Sequence, residues 1–207
     1  MHIHFHTYDL PESFTPSAEV AMDTEAMGLN YHRDRLCLVQ ISNGDGHCHL
    51  VHFPTNDFSK SPRLVDLLTR GDVTKIFHYA RFDVGILQHS FGIELCAVYC
   101  TKIASRLSRT FTSKHGLKDL CKDLLSVELS KHEQTSDWGA PILTNEQRVY
   151  AASDVAHLHS LKKILDELLK REGRDQLAKA CFDFLPHRGN LDCLAGDTFD
   201  VFSYATS

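Results

Sequence analysis

The stretch VAMDTEAMGL, residues 20–29, decides the fold prediction because it joins an apolar segment to two acids. Its first three residues predict a buried strand. Asp23 and Glu25 follow two positions apart, and side chains at this spacing in a strand point to the same face. A buried carboxylate is costly without a partner, and two neighbouring carboxylates raise each other's pKa. The pair therefore predicts a site at which some partner offsets negative charge.

The bulk composition is that of an ordinary globular protein. The chain has 207 residues, of which 43% are hydrophobic and 24% charged, which suits a single domain with a sizeable core. No apolar run is long enough to span a bilayer, and MHIHFHTYDL lacks the regions of a signal peptide. The seven cysteines form no CxxC pair, which is typical of reduced thiols. We therefore predict a cytoplasmic protein without membrane association.

The charge balance narrows the possible partners. The formal net charge is −5 with histidine neutral, whereas proteins that grip a long phosphate backbone usually carry positive charge or a basic patch. The composition therefore argues against a long-duplex binder. It leaves room for a pocket that binds a short nucleic acid.

The pattern along the chain predicts six strands that alternate with helices. The strands are expected at 2–6, 19–25, 36–42, 47–53, 73–79 and 96–100, with a hairpin turn at 43–46. Helices are expected at 61–71, 82–91, 116–126 and 144–173, and a further helix follows the strand at 96–100 and ends at Leu107. Ser61 is the expected cap of the first helix, and Thr144 with Gln147 forms a capping box. This order predicts an α/β domain with a mixed five- or six-stranded sheet flanked by helices.

Three acidic positions stand out on separate elements. Asp23 and Glu25 end a strand, and Asp83 in IFHYARFDVGIL lies near the start of a helix. Tyr150 and Asp154 are four residues apart on a helix, so both lie on one face. Hard oxygen ligands of this kind favour Mg²⁺ or Mn²⁺, and two such ions can hold the attacking and leaving oxygens of a phosphoryl displacement.

The trio DTE, HYARFD and YAASD resembles the three motifs of the DEDD 3′-5′ exonucleases, and Tyr150 matches the tyrosine branch, DEDDy, typified by ribonuclease D. The resemblance implies a ribonuclease H-like fold, with a core at about 18–170 and a short tail at about 174–207 in one domain spanning 1–207. Within the tail, Pro186, Gly189 and Gly196 are expected to break up any helix. It also implies that Asp23, Glu25, Asp83 and Asp154 ligate two divalent metals. Tyr150 would orient the attacking water, since a tyrosine is a poor base at neutral pH.

Further segments resemble the nanoRNase C family, compact DEDDy enzymes of alphaproteobacteria. They are DTEAMGL, HRDRLCLVQIS, IFHYARFD, TKIASRL and HGLKDLC. This resemblance implies hydrolysis of diribonucleotides at the end of RNA decay and a homo-octameric ring. Two alternatives stay open: a broader exonuclease that trims RNA or DNA ends, and a non-catalytic nucleic-acid-binding module. The module would be expected to lose at least one acid, and all four are present.

Candidate substrate contacts surround the motifs. Leu29 is placed like the leucine wedge of short-RNA exonucleases, although it could equally be core or turn packing, and Met27 and Gly28 precede it. His78 and Phe82 flank the second motif, where the aromatic ring could stack on a base or belong to the core. The basic stretch 106–118 could hold a 5′ phosphate by charge-assisted bonds, or be a solvated loop. Its candidates are Arg109, Thr110, Ser113, Lys114 and His115.

Two histidine-rich segments invite a metal prediction that we do not make. HIHFH places His2, His4 and His6 on one strand face, and HCHLVH at 47–52 also alternates. Neither segment has zinc-type cysteine spacing, so we expect an exposed strand face.

Overall fold

The fold is described from a computed structural model, which describes residues 1–129 and 136–195. The strands are β1 (His2–Thr7), β2 (Glu19–Ala26), β3 (Leu36–Ser42), β4 (His47–His52), β5 (Thr74–Phe77) and β6 (Val98–Cys100). The helices are α1 (Pro62–Thr69), α2 (Arg81–Phe91), α3 (Thr101–Ser108), α4 (Leu117–Leu125), α5 (Asn145–Val155), α6 (Leu158–Arg171) and α7 (Asp175–Ala195). A short 3₁₀ turn spans Phe58–Lys60.

The six strands form one mixed sheet in the order β1-β4-β3-β2-β5-β6. Strands β2, β3 and β4 pair antiparallel as a meander, whereas β5 and β6 continue the sheet parallel to β2. Strand β1 pairs parallel with β4 at the opposite edge. The predicted α/β class and mixed sheet are confirmed. The sheet places β2, which carries the acid pair, at its centre.

The core lies on both faces of this central region. Every residue of β3 is buried, and Val20, Ala21 and Met22 at the start of β2 are fully buried. Helix α5 packs against β2, β3 and β4, and α7 packs against α2. None of the helices in the described part of the chain combines the length and apolar character needed to cross a membrane.

The start of α1 differs from the sequence prediction. Pro62 occupies the first turn as expected, but Ser61 does not cap the helix with its side chain. Its hydroxyl instead donates to the carbonyl oxygen of Tyr8 at 2.5 Å. The carboxylate of Asp9 accepts hydrogen bonds from the backbone amides of Arg63 and Leu64 at the start of α1. An acid from the segment after β1 thus takes the capping role that we assigned to Ser61.

The C-terminal part of the chain also differs from the prediction. The periodic segment 144–173 is two helices, because α5 ends at Val155 and α6 begins at Leu158. The tail that we expected Pro186 and Gly189 to break is the continuous helix α7. Gly196 and the apolar residues Phe199, Val201, Phe202 and Tyr204 lie outside the described residues. The capping box of Thr144 and Gln147 is confirmed, with both reciprocal hydrogen bonds present.

Candidate active site

The end of β2 presents the first two acids. Asp23 and Glu25 are partly buried and follow the buried residue Met22 along the strand. Together with Asp154 they offer three ligand atoms that lie within 4.8 Å of one another. Among the residues that the structure describes, this is the one group of three acids, histidines or cysteines with that spacing. The predicted convergence of these acids is therefore present in the fold.

Helix α5 supplies Asp154 and Tyr150. The capping box fixes the first turn of this helix, and its buried residues Ala151, Ala152 and Val155 face the sheet. Tyr150 and Asp154 lie one helical turn apart, so their side chains share a face, and the phenol lowers the pKa of the Asp154 carboxyl. The indole ring of Trp138 lies 6.2 Å from the Tyr150 ring and covers it from the side. The phenol and the carboxylate thus meet at the acid cluster.

Helix α2 supplies Asp83 from its first turn. Asp83 is buried, and its Oδ1 accepts a hydrogen bond of 2.6 Å from the hydroxyl of Thr24. Thr24 stands between the two acids of β2, so one strand segment contributes two carboxylates and the donor that orients a third. Our sequence reasoning missed this residue. The sequence signal that could have identified it is a hydroxyl residue between two acids at the end of a strand.

The acids share a strongly perturbed electrostatic environment. Burial, followed by the charges of Asp154 and Asp83, raises the pKa of Glu25 to about 9. Burial and the neighbouring carboxylates also raise the pKa of Asp23 well above its usual range. Burial raises the pKa of Asp83 to about 7 against the opposing hydrogen bond from Thr24, and burial raises that of Asp154 to about 7. Four carboxylates with raised pKa values are a site that favours a cation.

Tyr150 stays protonated in this environment. Burial, and then the charge of Asp154, raises the pKa of the Tyr150 phenol above its ordinary value. A phenol in this state donates a hydrogen bond and does not accept a proton at neutral pH. The geometry therefore favours orientation over proton abstraction as its chemistry.

Gln40 tests whether the cluster fits a hydrated cation. It lies directly opposite Asp23 in β3, so the two side chains share a sheet face. Gln40 is fully buried, and neither polar atom of its side chain has a hydrogen-bond partner among the residues described. A buried amide of this kind needs a polar partner, and the waters that Mg²⁺ keeps in proteins would supply one. The donor set and this amide both fit a divalent metal.

The loop after β2 exposes Leu29. Its side chain is 78% exposed, which rules out the core-packing alternative. Met27 is also exposed, and Gly28 lies so close to the carboxylate of Asp34 that a Cβ atom would meet Asp34 Oδ2 at 2.3 Å. Asp34 in turn accepts a hydrogen bond from the backbone of Asn30 at 3.0 Å. The glycine thus permits a closed loop that presents Leu29 to solvent.

The turn between β5 and α2 places the predicted contacts differently. Phe82 is stacked on Tyr31 with ring centroids 5.4 Å apart, so packing engages this ring. His78 is bonded through Nδ1 to Thr101 at 2.9 Å, and burial lowers its pKa to about 3. The exposed aromatic of the turn is Tyr79, which sequence reasoning missed. Tyr79 has a positive φ of 63°, which is rare for a bulky residue.

The basic stretch is only partly available for a phosphate. Arg109 is buried and forms an ion pair of 2.6 Å with Asp123, so its guanidinium already has a carboxylate partner, and its phosphate role stays a prediction. Thr110, Ser113 and Lys114 are exposed. His115 is bonded to Ser105 of α3 at 2.8 Å. His115 is thereby joined to the helix whose first residue contacts His78.

The chain matches a family and several solved structures. The 3′-5′ exonuclease family model matches residues 6–170. Ribonuclease D of Gluconacetobacter diazotrophicus is 34% identical over 155 residues, which cover 75% of this chain and 39% of that protein. The chain thus spans about two fifths of the length of the curated ribonuclease D relatives that it matches.

Two structures of Brucella melitensis NrnC match the whole chain. The structure bound to pGG has 49% identity and a TM-score of 0.93, and the structure with bound Mg²⁺ has 48% identity and a TM-score of 0.92. Each comparison covers 99% of this chain and 100% of that one. The exonuclease fold expected from the sequence motifs is confirmed.

Proposed function

Because the chain belongs to the 3′-5′ exonuclease family, we propose that it is a 3′-5′ exoribonuclease that hydrolyses short RNA, above all dinucleotides, to nucleoside monophosphates. The acid cluster carries the proposal, because Asp23, Glu25 and Asp154 converge within 4.8 Å, and the charge of Asp83, which is hydrogen-bonded to Thr24, raises the pKa of all three. The match to NrnC bound to pGG over the whole chain supports a short substrate. The proposed location is the cytoplasm.

In this proposal the four acids hold two divalent ions, Mg²⁺ or Mn²⁺. The match to NrnC with bound Mg²⁺ supports this choice of hard cation. When bound, such ions supply Lewis-acid stabilisation of the phosphoryl oxygens in an in-line displacement. The raised pKa values of the free acids mean that metal binding must displace protons at neutral pH. Metal affinity should therefore rise with pH.

Tyr150 is the residue that we assign to the attacking water. The phenol keeps its proton, and it lies one helical turn from Asp154 on the face that presents this acid to the cluster. We assign Tyr150 the role of orienting the water for in-line attack. A misplacement of the nucleophile costs rate without changing the electrostatics of the phosphate.

The exposed residues near the acids are the proposed substrate contacts. Leu29 and Met27 follow the acid strand β2 on one loop, and Leu29 would act as a wedge against a base. Tyr79 offers an exposed ring four residues before Asp83, and the Lys102 ammonium lies 3.6 Å from its centroid. Aromatic faces of this kind stack on unpaired bases. Thr110, Ser113 and His115 remain candidates for the 5′ phosphate.

Turnover of two-mers and seven-mers tests the substrate length. We expect the chain to cleave a 5′-phosphorylated dinucleotide faster than a seven-mer under single-turnover conditions, and EDTA to abolish both reactions. Equal rates on the two RNAs would favour a broader trimming exonuclease, and comparison with the matched DNA substrates would decide the sugar preference. Light scattering on the eluting protein would test the octamer that the family resemblance implies.

Substitution of one acid tests the catalytic assignment. Asp83→Asn keeps the shape of the side chain but removes its charge, so we expect the hydrolysis rate to fall by about 100-fold or more. Asp57→Asn is the matched control, because Asp57 forms an exposed ion pair with Lys60 away from the cluster. An unchanged rate in Asp83→Asn would contradict the metal assignment, and an equal loss in both variants would indicate a general effect on folding.

A further inference from the structure

The two histidine-rich segments of the sequence meet at one edge of the sheet. Strands β1 and β4 pair in parallel register, with His2 opposite His47 and His4 opposite His49. The rings of His2, His47, His4, His49 and His6 stack in that order, with centroid separations of 5.2, 5.1, 4.8 and 5.2 Å. We call these five residues the histidine ladder. The proposed exonuclease mechanism uses none of them.

Ring nitrogens face each other twice along the histidine ladder. His4 Nε2 lies 2.8 Å from His47 Nδ1, and His6 Nε2 lies 3.0 Å from His49 Nδ1. In each pair one nitrogen must carry the proton and the other must accept it. In each pair the shared proton can move to the other nitrogen of the donor ring, and the two facing nitrogens would then both offer lone pairs to one metal ion.

The spacing of these nitrogens is that of a hydrogen bond, and it would also allow both of them to bind one ion. With metal–nitrogen bonds of about 2.05 Å, cis positions at a right angle lie about 2.9 Å apart and tetrahedral positions about 3.3 Å apart. The observed 2.8 and 3.0 Å match the cis arrangement. Tetragonal sites with nitrogen ligands are typical of Cu²⁺ and Ni²⁺. Hard ions such as Mg²⁺ prefer oxygen ligands, so a pair of ring nitrogens does not favour them.

The surroundings of the histidine ladder favour neutral imidazole rings. Burial, then the neighbouring His6 and His4, lowers the pKa of His49 to about 4, and burial lowers the pKa of His6. Asp45 has a smaller, opposite effect on the pKa of His49. The ring of Phe14 packs edge-on against His49 with centroids 4.8 Å apart. Neutral imidazole is the form that ligates metals, so the pair of His6 and His49 needs little deprotonation at neutral pH.

We propose that the histidine ladder is a transition-metal site of the Cu²⁺ and Ni²⁺ class, in which one ion bridges His4 and His47 and a second bridges His6 and His49. Each ion would join edge strand β1 to β4, with water completing the coordination. The site is chemically separate from the acid cluster, because it offers nitrogen where that cluster offers carboxylate oxygen. It stands independently of the proposed nuclease function.

Calorimetric titration with Ni²⁺ tests the proposal on the full chain in excess Mg²⁺. We compare the wild type with His4→Gln/His47→Gln, with His6→Gln/His49→Gln and with the four-fold variant. Each double variant should lose about half of the Ni²⁺ bound through the ladder, and the four-fold variant should lose all of it. The control His89→Gln/His187→Gln removes two histidines outside the ladder and should bind as the wild type does.

Spectroscopy identifies the ligands directly. Cu²⁺ added below one equivalent should give an electron paramagnetic resonance spectrum with nitrogen hyperfine structure, which the four-fold variant should lack. Ni²⁺ should also raise the melting temperature of the wild type but not of that variant. Should a double variant fail to fold, His47→Gln and His49→Gln each remove a single ligand and carry the same expectation. Ni²⁺ binding that is equal in the wild type and every ladder variant would overturn the proposal.

Discussion

Replacing Thr24 by valine isolates one hydroxyl that supports the acid cluster. Valine keeps the branched shape of the side chain, so the packing of this buried position is retained. It removes the donor that lies 2.6 Å from Asp83 Oδ1. Asp83 stays buried, and its carboxylate loses the hydrogen bond that opposes the effect of burial on its pKa.

The size of the effect follows from the nature of this bond. A hydrogen bond to a charged group contributes about 1.5–3 kcal/mol, and loss of a residue that orients a metal ligand costs about 10- to 100-fold in metal affinity or activity. We therefore expect Thr24→Val to lower the rate at limiting Mg²⁺ by about 10- to 100-fold. The pKa of Asp83 rises above about 7 in the variant, so the deficit should be larger at pH 6 than at pH 9.

The assay measures single-turnover hydrolysis of a 5′-phosphorylated dinucleotide against Mg²⁺ concentration. Thr24→Ser restores the hydroxyl and should recover most of the rate, whereas Thr69→Val alters an exposed threonine at the end of α1 and should have no effect. A Thr24→Val variant with the Mg²⁺ dependence of the wild type would refute the reasoning. Valine and serine variants that are equally slow would point to packing instead of the hydrogen bond.

Three further predictions concern the catalytic tyrosine, a buried lysine and the contact between α7 and α2. Tyr150→Phe should lower the single-turnover rate at saturating Mg²⁺ by about 10- to 100-fold, because it removes the group that orients the water while all four acids stay in place. Burial lowers the pKa of Lys75 from 10.5 to about 8. Between pH 8 and pH 10.5 the lysine therefore carries its proton in the unfolded chain but not in the folded one. In urea denaturation the wild type should gain up to about 3 kcal/mol over Lys75→Met as the pH rises from 8 to 10.5. Asp192→Asn removes the buried carboxylate that pairs with both Arg81 and Arg188, and it should cost about 3 kcal/mol of unfolding free energy in the same assay.

The sequence predicted the elements whose signals are local. The acid pair of β2 follows from period-two geometry, and the capping box of α5 follows from reciprocal side-chain to backbone bonds within four residues. The turn at 43–46 requires positive φ at Gly44 and Gly46, which glycine supplies. These features depend on neighbours in the chain, so no tertiary information was needed to place them.

The features that sequence reasoning missed depend on tertiary partners. Ser61 lost its capping role because Asp9, more than fifty positions earlier, reaches the same amides. Arg109 was predicted to bind a phosphate because its sequence neighbours do not reveal its partner Asp123, which lies on another helix. Thr24 was passed over because the hydroxyl's acceptor, Asp83, is 59 positions away. Polar residues choose partners across the fold, and their spacing along the chain does not reveal them.

Helix α7 shows how such partners support the site from a distance. Arg81, Gly85 and Gln88 of α2 are spaced like one helical stripe and face α7. The stripe consists of two polar residues and a glycine, so a search for apolar periodicity does not find it. A Cβ atom on Gly189 would lie 3.1 Å from the backbone nitrogen of Gly85, and the Gln88 amide donates to the carbonyl of Pro186 at 2.9 Å.

These contacts bear on the acid cluster because α2 also carries Asp83, whose carboxylate bonds to Thr24 of β2. The helix is therefore held on two sides, by α7 along one stripe and by the central strand at its first turn. Gln88 strengthens this arrangement, since its amide oxygen accepts a hydrogen bond of 3.0 Å from the backbone amide of Leu95. A helix fixed in this way has little freedom to shift along its axis, and a metal ligand on its first turn needs that restraint to keep its geometry. The segment whose glycine and proline suggested an irregular tail is thus part of the structure that keeps Asp83 beside the other acids.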